Sequence, residues 1–206
     1  MRVVEANGRG VLSPDYHPHL VDKVGPVTAA ELIDENLLKI VDLSASDEDC
    51  NILGWKCLGY HFSEEEGVWK ADQVFPKWRA KYPKPVDLIG VTRIYDPKVD
   101  MPVRKASIDL MRSIPGDFKG GIRTLQATVG FNGFKVNELT PRITRRAQLC
   151  NFIMYYRERL HGKSFEELRA ARLAEAPKSA EEARLPSERA YQRLRVDGDV
   201  DVDEEE

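Results

Sequence analysis

The chain has 206 residues, 42% of them hydrophobic and 32% charged, a globular composition that argues against overall disorder. Its longest apolar stretches, such as Leu149 to Tyr156, are too short to span a bilayer and contain polar residues. Three cysteines, Cys50, Cys57 and Cys150, form no CxxC pair and argue against a secreted disulfide framework. The net charge of −3 hides an asymmetry: 11 bases and 16 acids in residues 1–97, 20 and 11 in 98–195, then seven acids and no base in 196–206. A basic middle between acidic ends suits an acidic partner, nucleic acid or an anionic membrane, or is simply the solvated face of helices.

Through about Thr28, Gly8, Gly10, Pro14, Pro18, Gly25 and Pro26 punctuate the chain too closely for long elements, which predicts an extended arm. Tyr16, His17, His19 and Leu20 give that arm groups with which to lie along a partner. Thr28 with Glu31 has capping-box spacing and predicts a short helix to about Lys39. Ser44 to Asp49 reads as a polar break, and Trp55–Phe62 as the one candidate strand. No signal-peptide core or Arg- and Ser-rich transit helix stands at the amino terminus.

From Trp69 a helical rhythm is expected. Ala71–Tyr82 carries Val74, Phe75 and Trp78, and Pro85–Tyr95 carries Leu88, Val91 and Tyr95 at helical spacing. Asp100-Met101-Pro102 is expected to open a helix with Val103, Ser107, Leu110 and Ile114 on one face, stopped by Pro115-Gly116. Asp117 is the expected N-cap of a helix with Phe118, Ile122, Leu125 and Val129, closed by Gly130 and Gly133. Thr140 and Pro141 predict the start of a long helix to Leu160, terminated by His161-Gly162. Ser164 with Glu167 predicts a helix through about Glu175, and Ser179 with Glu182 another, broken near Pro186.

These elements predict an all-α protein in which helical hairpins stack into a superhelix. The expected divisions are an extended arm with a short helix (1–68), a helical superhelix domain (69–168), a helical extension (169–195) and a disordered acidic tail (196–206).

Candidate chemistry is sparse. Cys50, Cys57 and His61 lack the short spacing and fourth ligand of a zinc site, and buried cysteine is the simpler reading. His17 and His19 have no convincing further ligand. Asp197, Asp199, Asp201 and Asp203 alternate as calcium-loop ligands do, without the glycine and twelfth-position glutamate. No phosphate loop, nucleophile elbow or HExxH motif is present. The expectation is a protein with no catalytic residues, metal or cofactor. Arg142, Arg145 and Arg146, with Arg157 and Arg159, make the densest basic cluster, interleaved with Phe152, Tyr155 and Tyr156. That pattern suits either RNA or the outer face of an amphipathic helix.

Residues of about 72–168 resemble the cytochrome c oxidase subunit called Va in animals and VI in yeast. The resemblance lies in Phe75 and Trp78 before Tyr82-Pro83-Lys84-Pro85 and Asp87, then Tyr95-Asp96 and Pro102 leading to Ala106, Leu110 and Arg112. Asp117-Phe118, Ile122-Arg123 and Leu125 follow, and Ser164-Phe165-Glu166-Glu167-Leu168 closes it. It implies a right-handed all-α superhelix peripheral to the mitochondrial inner membrane on the matrix side, without haem or copper. The implied role is assembly, stability or regulation of the oxidase through contacts with its core subunits. Tyr16, Trp78, Phe118 and Arg123 are the expected interface groups, with Arg142, Arg145 and Arg146 added from the basic cluster. The other readings are a subunit of a different organellar complex, or a helical RNA-binding or ribosomal protein, against which the pI of 5.9 weighs.

Overall fold

A computed structural model describes residues 4–6, 9–11, 20–90 and 96–175. Among them the protein is mainly helical. The α-helices are α1 (Asp34–Val41), α2 (Asp47–Leu58), α3 (Pro76–Lys81), α4 (Pro97–Ser113), α5 (Leu125–Val129), α6 (Pro141–Tyr155) and α7 (Phe165–Glu175). Two antiparallel hairpins accompany them, β1 (Val4–Ala6) with β2 (Arg9–Val11) and β3 (His61–Ser63) with β4 (Val68–Lys70). The chain divides into two compact units, 1–161 and 162–206. The expected helix after Ser179 and the acidic tail lie outside the described residues.

The first unit is built around α2 and α6. Helix α2 is buried on almost every side, through Cys50, Ile52, Leu53, Cys57 and Leu58 and equally through Asp49, Asn51 and Lys56. It therefore has no polar face and no amphipathic stripe. Ser46 caps it by accepting from the Asp49 N–H at 2.9 Å, and three acids in its first turn complement the helix dipole. The expected polar break at 44–49 is thus this helix's start. The candidate strand shrinks to His61–Ser63, because Trp55–Leu58 completes the helix and Gly59 closes it at φ 96°.

Gly54 sits where α2 meets α6. A Cβ there would stand 2.8 Å from Leu88 Cδ1 and 2.9 Å from Leu149 Cδ1. Gly54→Val is expected to lower the unfolding free energy by roughly 1–3 kcal/mol through overpacking, read from a urea unfolding curve. An unchanged midpoint would show that the two leucines move aside freely.

Helix α6 runs as its sequence predicts. Thr140 accepts from the Ile143 N–H, Pro141 occupies the first turn, and a π turn over Tyr156–Leu160 carries the chain to His161. Helices α1 and α4 pack on α6, and α5 packs on α1. Helix α4 starts at Pro97, three residues before the expected Asp100, under an Asp96 cap, and accommodates Pro102 inside it. The expected helix over 71–82 contracts to six residues behind Pro76. Residues 85–90 are not helical, and 91–95 lie outside the described residues. Asp117 does not cap a long helix either. Residues 116–124 form two 3-10 turns, and only Leu125–Val129 becomes α-helical before Gly130 ends it at φ 73°.

Two buried asparagines hold these irregular stretches. Asn51 on α2 donates to Asp87 Oδ1 and accepts from the Leu88 N–H. Asn151 on α6 donates to the Lys119 carbonyl and accepts from the Ile122 N–H. Each amide supplies hydrogen bonds that a regular element would have found in its own backbone.

In the second unit, α7 opens on a capping box. The Ser164 N–H donates to Glu167 Oε2, and Ser164 Oγ accepts from the Glu167 N–H.

Candidate functional site

Three arginines of the basic cluster, Arg142, Arg145 and Arg146, face inward, whereas Arg159 is exposed. Arg146 is fully buried and donates from Nε and Nη2 to Asp47 Oδ1, from Nη1 to the Ile40 carbonyl and from Nη2 to the Ala45 carbonyl. Arg142, one turn earlier, donates from Nε to Asp47 Oδ2 at 2.7 Å. Arg145 donates to the Ile89 carbonyl at 3.1 Å and lies under Gly90. Their i, i+3, i+4 spacing places the three on one side of α6, where they bolt down the α1–α2 loop and residues 89–90. The expectation of an exposed basic patch is therefore corrected: these cations are held by internal acceptors, because the loops beneath them have carbonyls that need donors.

Other expected interface groups are divided between core and surface. Trp78 is buried and donates its indole N–H to Tyr60 Oη, and Phe118 is buried against Tyr155. Both are interior groups of this chain. Arg123 is exposed on a 3-10 turn, and Tyr16 lies outside the described residues, as do His17, His19 and the aspartates of the tail.

All three cysteines are buried. Burial pushes the Cys50 thiol up to about 12, and the Cys57 and Cys150 thiols higher still, so they stay protonated and serve as packing groups. His61 Nδ1 lies 3.5 Å from Asp72 Oδ1 without hydrogen-bonding it. No three His, Cys, Asp or Glu side chains converge among the described residues.

The surface feature with the clearest construction is the connection between α5 and α6, residues 130–139. Phe131 and Phe134 meet edge to face at 5.2 Å and pack, half-buried, against the core. A 3-10 turn over Val136–Glu138 follows, closed by the Leu139 N–H donating to the Val136 carbonyl. Val136 is 87% exposed and Leu139 48%. A lone exposed aliphatic is ordinary. Here two stand three residues apart on a turn that follows the aromatic pair in the chain, between the Gly130 close of α5 and the Thr140 cap of α6. Sequence reading missed these residues because it closed one helix at Gly130 and Gly133 and opened the next at Thr140. The available signal was four large apolar residues within ten, in a segment with no helical period.

Residues 31–158 match the family described as a domain of unknown function, DUF1823. The chain belongs to that family. The match takes in α1 through α6 and overlaps the stretch resembling the oxidase subunit, and it corrects that resemblance. The residue order supporting it does not form the expected elements either, since Phe75 lies outside a six-residue helix and Ile122-Arg123 sits in a 3-10 turn. No curated protein matches the DUF1823 chain. A protein solved by solution NMR is 37% identical to it, with 65% of this chain and 94% of that one covered and a TM-score of 0.46. The oxidase role and the mitochondrial address followed from the corrected resemblance and have no other support among the described residues.

Proposed function

We infer that the DUF1823 chain is a non-catalytic module that docks on another protein through the α5–α6 connection. The observation that carries this reading is the pair Val136 and Leu139, exposed on the turn that follows the core-packed Phe131–Phe134 pair. The interior supports it from the other side. The buried charged groups have structural partners: Arg146 pairs with Asp47 and Lys56 with Glu31, Arg145 donates to the Ile89 carbonyl, Asp49 accepts from Ser46 and Asp100 from the Asp96 N–H, and burial keeps the thiols protonated. Among the described residues no helix is long and apolar enough to cross a membrane. The apolar surface is small, so the partner's own apolar face must complete the interface.

The test is chemical cross-linking from a photoreactive residue at position 136, with a second at exposed Lys119 as control, in native extract. The expected result is one defined cross-linked species from position 136, absent from the control and lost when Leu139→Asp is added. Both positions are exposed, so the variants should melt as the parent does. Cross-linking equal to the control, or insensitive to Leu139→Asp, rejects the site. A species of twice the chain mass containing only this protein replaces the foreign partner with a second copy.

A further inference from the structure

The outward face of α4 carries a charge pattern that the core does not require. Lys98, Lys105 and Arg112 follow one another at intervals of seven, which places them in one row over about 21 Å of helix at 1.5 Å per residue. All three are exposed, Arg112 with 77% of its side chain in solvent. Met101 and Ile108 lie beside the row, half-buried and 40% exposed respectively, while the opposite side buries Val103, Ala106, Leu110 and Ile114. Acids of this helix are placed elsewhere. Asp100 is buried, and Asp96 serves as the N-cap. Asp109, at the edge of the row, accepts from Lys81 Nζ at 3.0 Å and from Tyr82 Oη at 2.9 Å. Those donors, with Arg112 nearby, hold its carboxyl below the usual range. Lys81 thus adds a fourth cation from α3 to the same border.

We propose that this face binds an acidic amphipathic helix of a partner protein, aligned along α4 with carboxylates at heptad spacing and an apolar residue over Ile108. Charge complementarity fixes the sign of the partner, and the seven-residue interval fixes its form, because a second helix repeats on that interval. The apolar side chains beside the row separate this occupant from nucleic acid. A phosphate backbone offers nothing apolar to cover Ile108, and the one aromatic ring placed at this border among the described residues, Tyr82, is half-buried against Trp78 with its hydroxyl on Asp109. A lipid surface needs a broader apolar face than one isoleucine and one half-buried methionine. The rim pairs supply encounter rate and salt dependence, and the covered Ile108 supplies retention. The proposal rests on the reading of this chain as a protein-docking module and names the chemistry of one partner.

The experiment is fluorescence anisotropy of the full chain with a labelled 18-residue helical peptide carrying glutamates at heptad spacing and leucines between them. A scrambled peptide of the same composition, a short DNA duplex and phosphatidylglycerol vesicles complete the set. The expected result is salt-sensitive binding of the helical peptide, weakened about tenfold or more by Lys105→Glu with Arg112→Glu and about threefold by Ile108→Ala. Melting curves should match the parent, since the three positions are exposed. Absence of binding, equal binding of the scrambled peptide, indifference to the charge reversal, or tighter binding of duplex or vesicles overturns it. Leu139→Asp should leave peptide binding unchanged, so failure here leaves the α5–α6 connection standing, and failure there leaves this face standing.

Discussion

Arg146→Ala is expected to remove about 3–5 kcal/mol of folding free energy, a large share of what a domain of this size holds. The side chain is wholly buried and reaches three separate places: the end of α1 through the Ile40 carbonyl, the α1–α2 loop through the Ala45 carbonyl, and Asp47 at the start of α2. Truncation leaves two carbonyls without a donor, leaves Asp47 with only Arg142, and opens a cavity between the central helices. Arg146→Lys should recover only a small part, because one ammonium cannot span acceptors that the planar fork reaches together. Arg142→Ala should cost about 1 kcal/mol, since its side chain and Asp47 are partly solvated. Urea unfolding followed by tryptophan fluorescence measures all three. A loss below about 1 kcal/mol for Arg146→Ala would mean that the loop repacks without its anchor.

Lys56→Met is expected to destabilise the protein by about 3 kcal/mol. Lys56 Nζ lies 2.7 Å from Glu31 Oε1 and 2.7 Å from the Asp22 carbonyl, with its side chain 2% exposed. Glu31 is only slightly more exposed, and its carboxylate also accepts from the N–H groups of Thr28 and Asp22. Methionine keeps the volume and removes the charge, so the cost reports an uncompensated carboxylate. Glu31→Gln combined with Lys56→Met should therefore lose at least about 1 kcal/mol less than the sum of the single changes. Strict additivity in a double-mutant cycle would show that each group is solvated independently and that the pair does not tie residues 22–31 to α2.

Local signals survived where their physics is local. The Thr28/Glu31 and Ser164/Glu167 capping boxes, Pro141 in the first turn of α6 and Gly130 at the close of α5 all lie where the sequence places them. Each depends on residues within four positions of one another. The capping box at Thr28 opens a 3-10 turn, with α1 following from Asp34, because the side chain specifies a helical start and not its continuation. Periodicity failed for α2, where buried Asp49, Asn51 and Lys56 interrupt the apolar pattern. It also failed at 71–82 and 116–124, where apolar residues at helical spacing reach the core from turns. In the candidate site, the exposure of Val136 and Leu139 was illegible because the same residue types fill the interior.

By itself the sequence determined a mainly helical chain, the ends of its best-capped helices and the burial of its cysteines, since composition, caps and turn residues act over a few positions. Tertiary structure alone decided that α2 is central, that Arg145 and Arg146 face inward, and that Lys105 and Arg112 face out. Arg146 finds its acceptors about a hundred residues away, at Ile40, Ala45 and Asp47. A cation's sign is written in the chain; whether water or a buried carbonyl satisfies it depends on which distant segments fold beside it.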